Sequence, residues 1–301
     1  MSLVVVGSVA FDNVQTPLEK RENLIGGSAT HFSYAATFFT PVKLVGVVGD
    51  DWPEEHTKML AARGIDTTGL VVDRGAKTFT WTGKYHDNMN DRDTLDVQLN
   101  AFATFDPVLP ESYTDCEYLF LANGSPSIQM RVLDQCTGPK LVVADTMDFY
   151  INTARDELIE LLKKIDGLVL NDSEAKLLTG ESNLVYAGRA ICKLGPRFVI
   201  IKKGEHGSLL VSQDDLFLMP PYPTEQVVDP TGCGDSFAGG TLGYIAACGR
   251  FDRATLRAAM ARGSVVGSLV LESFSVQALS EKTAADVEQR LAMLRDMLQF
   301  E

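Results

Sequence analysis

The chain has 301 residues, well above the size needed for one hydrophobic core, and at ~150 residues per domain it allows two units or one large α/β domain. Its 45% hydrophobic and 22% charged residues, with 25 Gly and 12 Pro, exclude disordered, collagen-like and low-complexity classes. Lys and Arg number 27 against 40 Asp and Glu, a net charge of −13, so the surface repels phosphate backbones and anionic lipid, and nucleic acid is not an expected partner.

No apolar run approaches the ~18 to 20 residues that cross a bilayer, and the first residues lack the basic-then-apolar order of a secretory signal. A cytoplasmic protein with no membrane partner is expected. Five cysteines, Cys116, Cys136, Cys192, Cys233 and Cys248, are an odd number without a CxxC pair, which argues for reduced thiols rather than disulfides or zinc.

In chain order, Leu3–Gly7 is a short β-branched run of the kind buried on both faces of a sheet. Similar runs at 42–48, 118–122, 141–144, 167–170 and 197–202 are separated by stretches of helical periodicity at 28–39, 53–63, 128–135, 153–163, 173–178, 184–194, 236–247, 252–271 and 284–298. This alternation predicts a mostly parallel central sheet with helices on both faces, one α/β domain over residues 1–301. Residues 77–105 break the rhythm. Phe79-Thr-Trp81-Thr-Gly83-Lys-Tyr85 and Leu95-Asp-Val97-Gln-Leu99 alternate with period two, as strands with one wet face do, so a small β lid is expected there, with a contribution from about 9–16. Phe79, Trp81 and Tyr85 share one parity, placed to stack on a ligand or to cover the core and a second subunit, a homodimer through the lid.

The densest chemical signal is Val227-Val-Asp229-Pro-Thr231-Gly232-Cys233-Gly234-Asp235, a strand end followed by a glycine-rich turn into a helix. The amides of Gly232, Cys233 and Gly234 would point out of the helix start, where unpaired N–H groups and the helix dipole favour anionic oxygens. Asp235 at the same place can take a proton from an attacking hydroxyl. A plain strand-to-helix connection with Asp235 as N-cap fits the same spacing.

This stretch closely resembles the D-T-x-G-A-G-D signature of the ribokinase-like (PfkB) carbohydrate kinase family. Other segments are similar to that family in order and spacing: Gly26-Gly27-Ser-Ala-Thr-His31 to its double glycine, Asp12 to a carboxylate that accepts sugar hydroxyls, Asn171-Asp-Ser-Glu174 to its N-x-x-E element, and Lys203-Gly204-Glu-His-Gly207 to the turn beneath the nucleotide. The resemblance implies a ribokinase-like three-layer sandwich with a lid. It also implies an ATP-dependent kinase that moves the γ-phosphoryl group to a primary hydroxyl of a sugar or related polyol. Asp235 would be the general base and Gly232, Cys233 and Gly234 the anion hole. Lys203, Gly204, Gly207 and Thr231 would meet the nucleotide. Asn171 and Glu174 would order Mg²⁺ through water. Asp12, Gly26, Gly27 and His31 would hold the acceptor, and Asp229 a K⁺ ion. A nucleoside kinase of the same family, or a sugar- or nucleotide-binding sensor without turnover, is the alternative.

The departures bear on the acceptor. Asn commonly closes the double-glycine motif where this chain has His31, and Asp145-Thr-Met-Asp-Phe149 stands where sugar kinases carry D-P-N-x-R. Losing that guanidinium disfavours a phosphorylated acceptor. Cys233 replaces an alanine and leaves the main-chain donor unchanged, and Glu272-Ser-Phe274-Ser lacks a glycine that the cation site would want.

Overall fold

A computed structural model describes residues 2–299. The strands are β1 (Leu3–Val6), β2 (Ala10–Gln15), β3 (Lys20–Gly26), β4 (Val42–Gly49), β5 (Ile65–Asp73), β6 (Phe79–Tyr85) and β7 (Arg92–Gln98), followed by β8 (Tyr118–Leu121), β9 (Leu141–Asp145), β10 (Gly167–Asn171), β11 (Phe198–Lys202), β12 (Ser208–Ser212) and β13 (Leu216–Met219). Nine of them form the central sheet in the order β13-β12-β11-β10-β9-β8-β1-β4-β5. From β5 to β11 every pairing is parallel; β12 and β13 close one edge antiparallel.

Alternation along the strands divides the core. Leu3, Val5, Phe120, Val143, Val169, Phe198 and Ile200 face one layer, packed by the helices Ser28–Ala36, Cys233–Cys248 and Arg253–Val270. Val4, Val6, Leu119, Val142, Leu168, Val199 and Ile201 face the other, packed by Arg155–Leu162, Asp172–Thr179 and Leu184–Leu194. With both faces covered, the strands read as continuous apolar runs. Phe32 stacks on Phe120 with ring centroids 4.2 Å apart, which ties the helix Ser28–Ala36 to the sheet centre. This is the layered sandwich with a mostly parallel sheet that the sequence predicts.

The segments expected to form a lid build a second sheet of four strands in the order β3-β2-β6-β7. Besides the expected pieces it contains β3, whose first four residues, Lys20-Arg-Glu-Asn23, are exposed and carry no apolar alternation to reveal a strand. In β7 the register against β6 slips between Thr82 and Gly83, so Leu95 is an extra residue in its strand, a β-bulge. All seven residues of β7 are exposed. The strands β5, β12 and β13 and the short helices Asp148–Thr153 and Gln277–Glu281 also go beyond the sequence reading. No helix among the described residues is long and apolar enough to cross a membrane, and none of the five cysteines is in a disulfide.

Candidate active site

The helix Cys233–Cys248 begins with Gly232 as its N-cap at φ 74°, ψ 1°, a left-handed conformation that favours glycine. Space demands glycine there as well, since a β-carbon on Gly232 would collide with the His31 ring. Asp235 is therefore the third residue of the helix, in its first turn, and is not the cap. Its carboxylate accepts no hydrogen bond among the described residues, and burial, with Asp145 adding repulsion, pushes it up to about 6 against the opposing pull of Lys202 and His31. An unspent carboxylate of that basicity is suited to take a proton near neutral pH.

Of the three amides expected to form the anion hole, that of Cys233 already donates to the Pro230 carbonyl at 3.1 Å. The amides of Gly232 and Gly234 on either side of it have no acceptor among the described residues. The Cys233 thiol lies 3.5 Å from the Gly267 carbonyl, and burial pushes it up to about 11, the behaviour of a packing group rather than a nucleophile. Asp229 spends its carboxylate on backbone: Oδ1 accepts from the Thr231 amide at 2.9 Å and Oδ2 from the Ser275 amide at 3.3 Å. It pins the glycine turn to the loop after the helix Arg253–Val270.

Asp12 and His31 approach the same helix mouth. Gly26 leaves room for the Asp12 carboxylate, which a β-carbon would strike, and Gly27 at φ 94° lets the chain pass the Ser8 carbonyl into the helix Ser28–Ala36. His31 is 1% exposed, yet neither ring nitrogen has a hydrogen-bond partner among the described residues. Its Nε2 faces Asp12 Oδ2 across 3.8 Å, too far for a hydrogen bond. Burial works against its charge, but Asp12, then Asp235 and Asp229, outweigh it and hold the imidazole above its ordinary value. A buried imidazole with both nitrogens unspent costs free energy unless a ligand completes it. His31 thus lies between Asp12 and Gly232 with both ring nitrogens unpaired among the described residues.

On the nucleotide side, Asn171 and Glu174 form a capping box: the Glu174 amide donates to Asn171 Oδ1 at 2.8 Å and the Asn171 amide to Glu174 Oε2 at 2.7 Å. That geometry starts the helix Asp172–Thr179 and leaves Glu174 Oε1 without a partner among the described residues. Burial pushes Glu174 up to about 7, with Lys202 pulling down and Asp145 pushing up. No group of three or more His, Cys, Asp or Glu is gathered as a metal cage among the described residues. One free, hard carboxylate oxygen beside a phosphate site still fits Mg²⁺, which keeps most of its waters and is shared with phosphates.

Lys203 and Gly204–Gly207 form the turn between β11 and β12, with the Lys203 amide donating to the Gly207 carbonyl at 2.8 Å. The lysine that faces the helix mouth is its neighbour. Lys202 Nζ lies 3.3 Å from Asp145 Oδ2 and 3.1 Å from where a β-carbon on Gly234 would be. Parity explains this: Lys202 continues the Phe198, Ile200 face that packs under the helix Cys233–Cys248, whereas Lys203 continues the opposite one. The lid reaches the site through Tyr85, whose hydroxyl accepts a hydrogen bond from Thr231 Oγ1 at 3.2 Å, and through Asn90, which donates to Glu205 Oε1 at 2.8 Å.

A glycine-lined helix start with an unpaired aspartate in its first turn, beside Asp12 and His31, is the arrangement expected of a phosphoryl-transferring kinase. The model of the pfkB family carbohydrate kinases matches residues 2–283, and the chain belongs to that family. It is a phosphotransferase with an alcohol group as acceptor. The chain is 30% identical over 251 residues to a cytidine kinase of Thermococcus kodakarensis, covering 81% of this chain and 88% of the relative. Among solved structures, the nucleoside kinase of Burkholderia thailandensis in complex with inosine superposes with a TM-score of 0.79 at 20% identity, covering 97% of this chain and 98% of that one. A putative ribokinase II of E. coli in complex with ATP and Mg²⁺ superposes with a TM-score of 0.81 at 20% identity over 97% of this chain and 99% of that one. These structures share the ribokinase fold.

Proposed function

We propose that this protein transfers the γ-phosphoryl group of ATP to the primary hydroxyl of a nucleoside. The observation that carries the reading is the convergence of Asp12, His31 and Asp235 on one glycine-built helix mouth. The relative named a cytidine kinase supports the choice of acceptor. The local charge agrees: Asp145 and Asp12 repel the Asp235 carboxylate against the pull of Lys202 and His31, and a phosphate already on the acceptor would add to that negative field. An uncharged acceptor meets no such barrier.

In the reaction the hydroxyl oxygen attacks the γ-phosphorus while the bond to the β-bridging oxygen breaks. Asp235 receives the hydroxyl proton, and ADP leaves with the electron pair. A positioned base contributes ~10² to 10⁴ in rate, and each well-placed anion-hole donor ~10² to 10³. Mg²⁺ held through Glu174 would neutralise phosphate charge. Asp12 and His31 orient the acceptor's remaining hydroxyls, Asp12 as acceptor and His31 through its unspent nitrogens. The lid, closed against Thr231 and Glu205, keeps water from the γ-phosphoryl group.

The test is ADP release with ATP and Mg²⁺ across a panel of nucleosides and free sugars. Turnover with a pyrimidine or purine nucleoside at least tenfold above every sugar is expected. Turnover restricted to sugars would replace the nucleoside by a polyol acceptor, and none with any acceptor would defeat the reading.

A further inference from the structure

We propose that Lys202 is a catalytic residue of this site, a cation parked on Asp145 in the resting enzyme that moves onto the γ-phosphoryl group when ATP fills the helix mouth. The proposal rests on the kinase reading above and adds to it a residue, its resting partner and a motion.

Lys202 ends β11, and its side chain, 18% exposed, runs to the turn of Gly234 rather than to solvent. An ammonium carries three donors. Among the described residues it makes one contact, to Asp145 Oδ2 at 3.3 Å, longer than the ~2.7 to 2.9 Å of a committed charge-assisted bond. A nearly buried ammonium with donors in hand, beside glycine amides at a helix start, is incomplete without an anion. Asp145 cannot easily supply more: its other oxygen accepts the Thr146 amide at 2.8 Å.

Charge balance points the same way. Asp145, Glu174 and Asp235 all act on Lys202, and although burial opposes its charge they hold it protonated. A triphosphate entering this acidic corner meets repulsion that the helix dipole, worth about half a charge, does not offset alone. Rotation about the terminal bonds of Lys202 moves its ammonium from Asp145 toward the phosphoryl oxygens. The lysine gives up no proton in the step: the hydroxyl proton goes to Asp235, and Lys202 supplies fixed positive charge as charge shifts toward the β-phosphate.

Two variants test this, because Lys202→Met alone strands a buried carboxylate and can fail to fold. The second, Lys202→Met with Asp145→Asn, removes both charges together. In both, kcat is expected to fall by ~10² or more, the loss typical of one transition-state donor. Titration calorimetry with Mg²⁺ should show a nonhydrolysable ATP analogue losing at least tenfold in affinity while ADP changes less than twofold. In Lys202→Met the acid limb of kcat/KM should move to higher pH, since Asp235 loses the cation that pulls it down while His31, Asp145 and Asp12 still face it. A kcat within threefold of wild type in the double variant, parallel losses for analogue and ADP, or an unmoved acid limb would overturn the proposal. If the wild-type protein phosphorylates no acceptor, the kinase reading fails by itself, and the comparison of analogue with ADP still decides whether Lys202 meets the γ-phosphate.

Discussion

The two sheets of this molecule are built to opposite specifications. In the central sheet β1, β8 and β9 are buried along their whole length, whereas β7 of the lid is exposed along all of its own. The central sheet carries Asp145 and the backbone of Lys202 and backs the helix that carries Asp235, so the proposed base rides on the stiffest part. The second sheet meets the body through the apolar cluster of Val14, Tyr85 and Phe274, the stack of Phe79 on Phe102, and hydrogen bonds of Thr231 to Tyr85, Asn90 to Glu205, and Ser275 Oγ to the Ile25 carbonyl. Each hydrogen bond is worth ~0.5 to 1.5 kcal/mol net.

The sharpest way to break the comparison is Asp235→Asn, which acts on the rigid half. It should lower kcat by ~10² to 10⁴ and leave nucleotide affinity nearly intact. It should also stabilise the fold. The native Asp235 sits at about 6, above its ordinary 3.8, so the folded state holds its proton more tightly than the unfolded one. The stability this contributes is complete below pH ~3.8 and is lost as pH rises through ~6. At pH 8 the charged carboxylate is therefore a burden, and asparagine relieves up to ~3 kcal/mol by the shift alone, nearer ~1 to 2 after allowing for partial exposure. Melting curves of variant and wild type should diverge at pH 8 and converge near pH 4. A variant no more stable at pH 8 would show that Asp235 is not strained by its surroundings.

The next effect separates the two sheets by stability alone. Phe120, fully buried under Phe32, should cost ~3 to 5 kcal/mol as alanine. Leu95, at 57% exposure on the lid, should cost no more than ~0.5 kcal/mol. Urea melts of both variants test this, and equal losses would mean that the lid is part of the cooperative core.

What the sequence discloses follows the same division. Strands buried on both faces are runs of Val, Ile and Leu, and each of the six short apolar runs read from the sequence became a strand of the central sheet. The strand Lys20–Gly26 has four exposed polar residues before its only apolar pair, Leu24 and Ile25, so no alternation marks it, and it is held by pairing with β2. In the site, Asp235 and its glycines are visible because helix-start chemistry is local. Lys202 is not, because its role depends on which face of β11 the later helix covers, and its partner Asp145 lies 57 residues away in the chain. His31 shows the limit differently: that its ring nitrogens are unpaired beside Asp12 and Gly232 depends on the packing of two helices distant in the chain, which its residue type does not disclose.

A tenfold or larger rise in acceptor KM is expected from Gly26→Ala, because the added methyl takes the space of the Asp12 carboxylate, while ATP affinity should hold. If both substrates weaken together, the clash has spread beyond the lid base.

The smallest effect belongs to Tyr85→Phe. The hydroxyl is buried, which pushes it up to about 12, so it remains protonated at any working pH and acts only as a neutral hydrogen-bonding group. Removing it deletes one bond between lid and anion-hole turn, on the order of 1 kcal/mol. If the lid closes through that bond, the loss appears as a few-fold rise in acceptor KM with a larger share of ATP hydrolysed instead of transferred, since a lid that closes less often admits water. If the bond were mere packing, the same substitution would lower thermal stability slightly and leave the ratio of transfer to hydrolysis untouched. Measuring ADP formed against phosphorylated acceptor formed in one reaction tells the two apart.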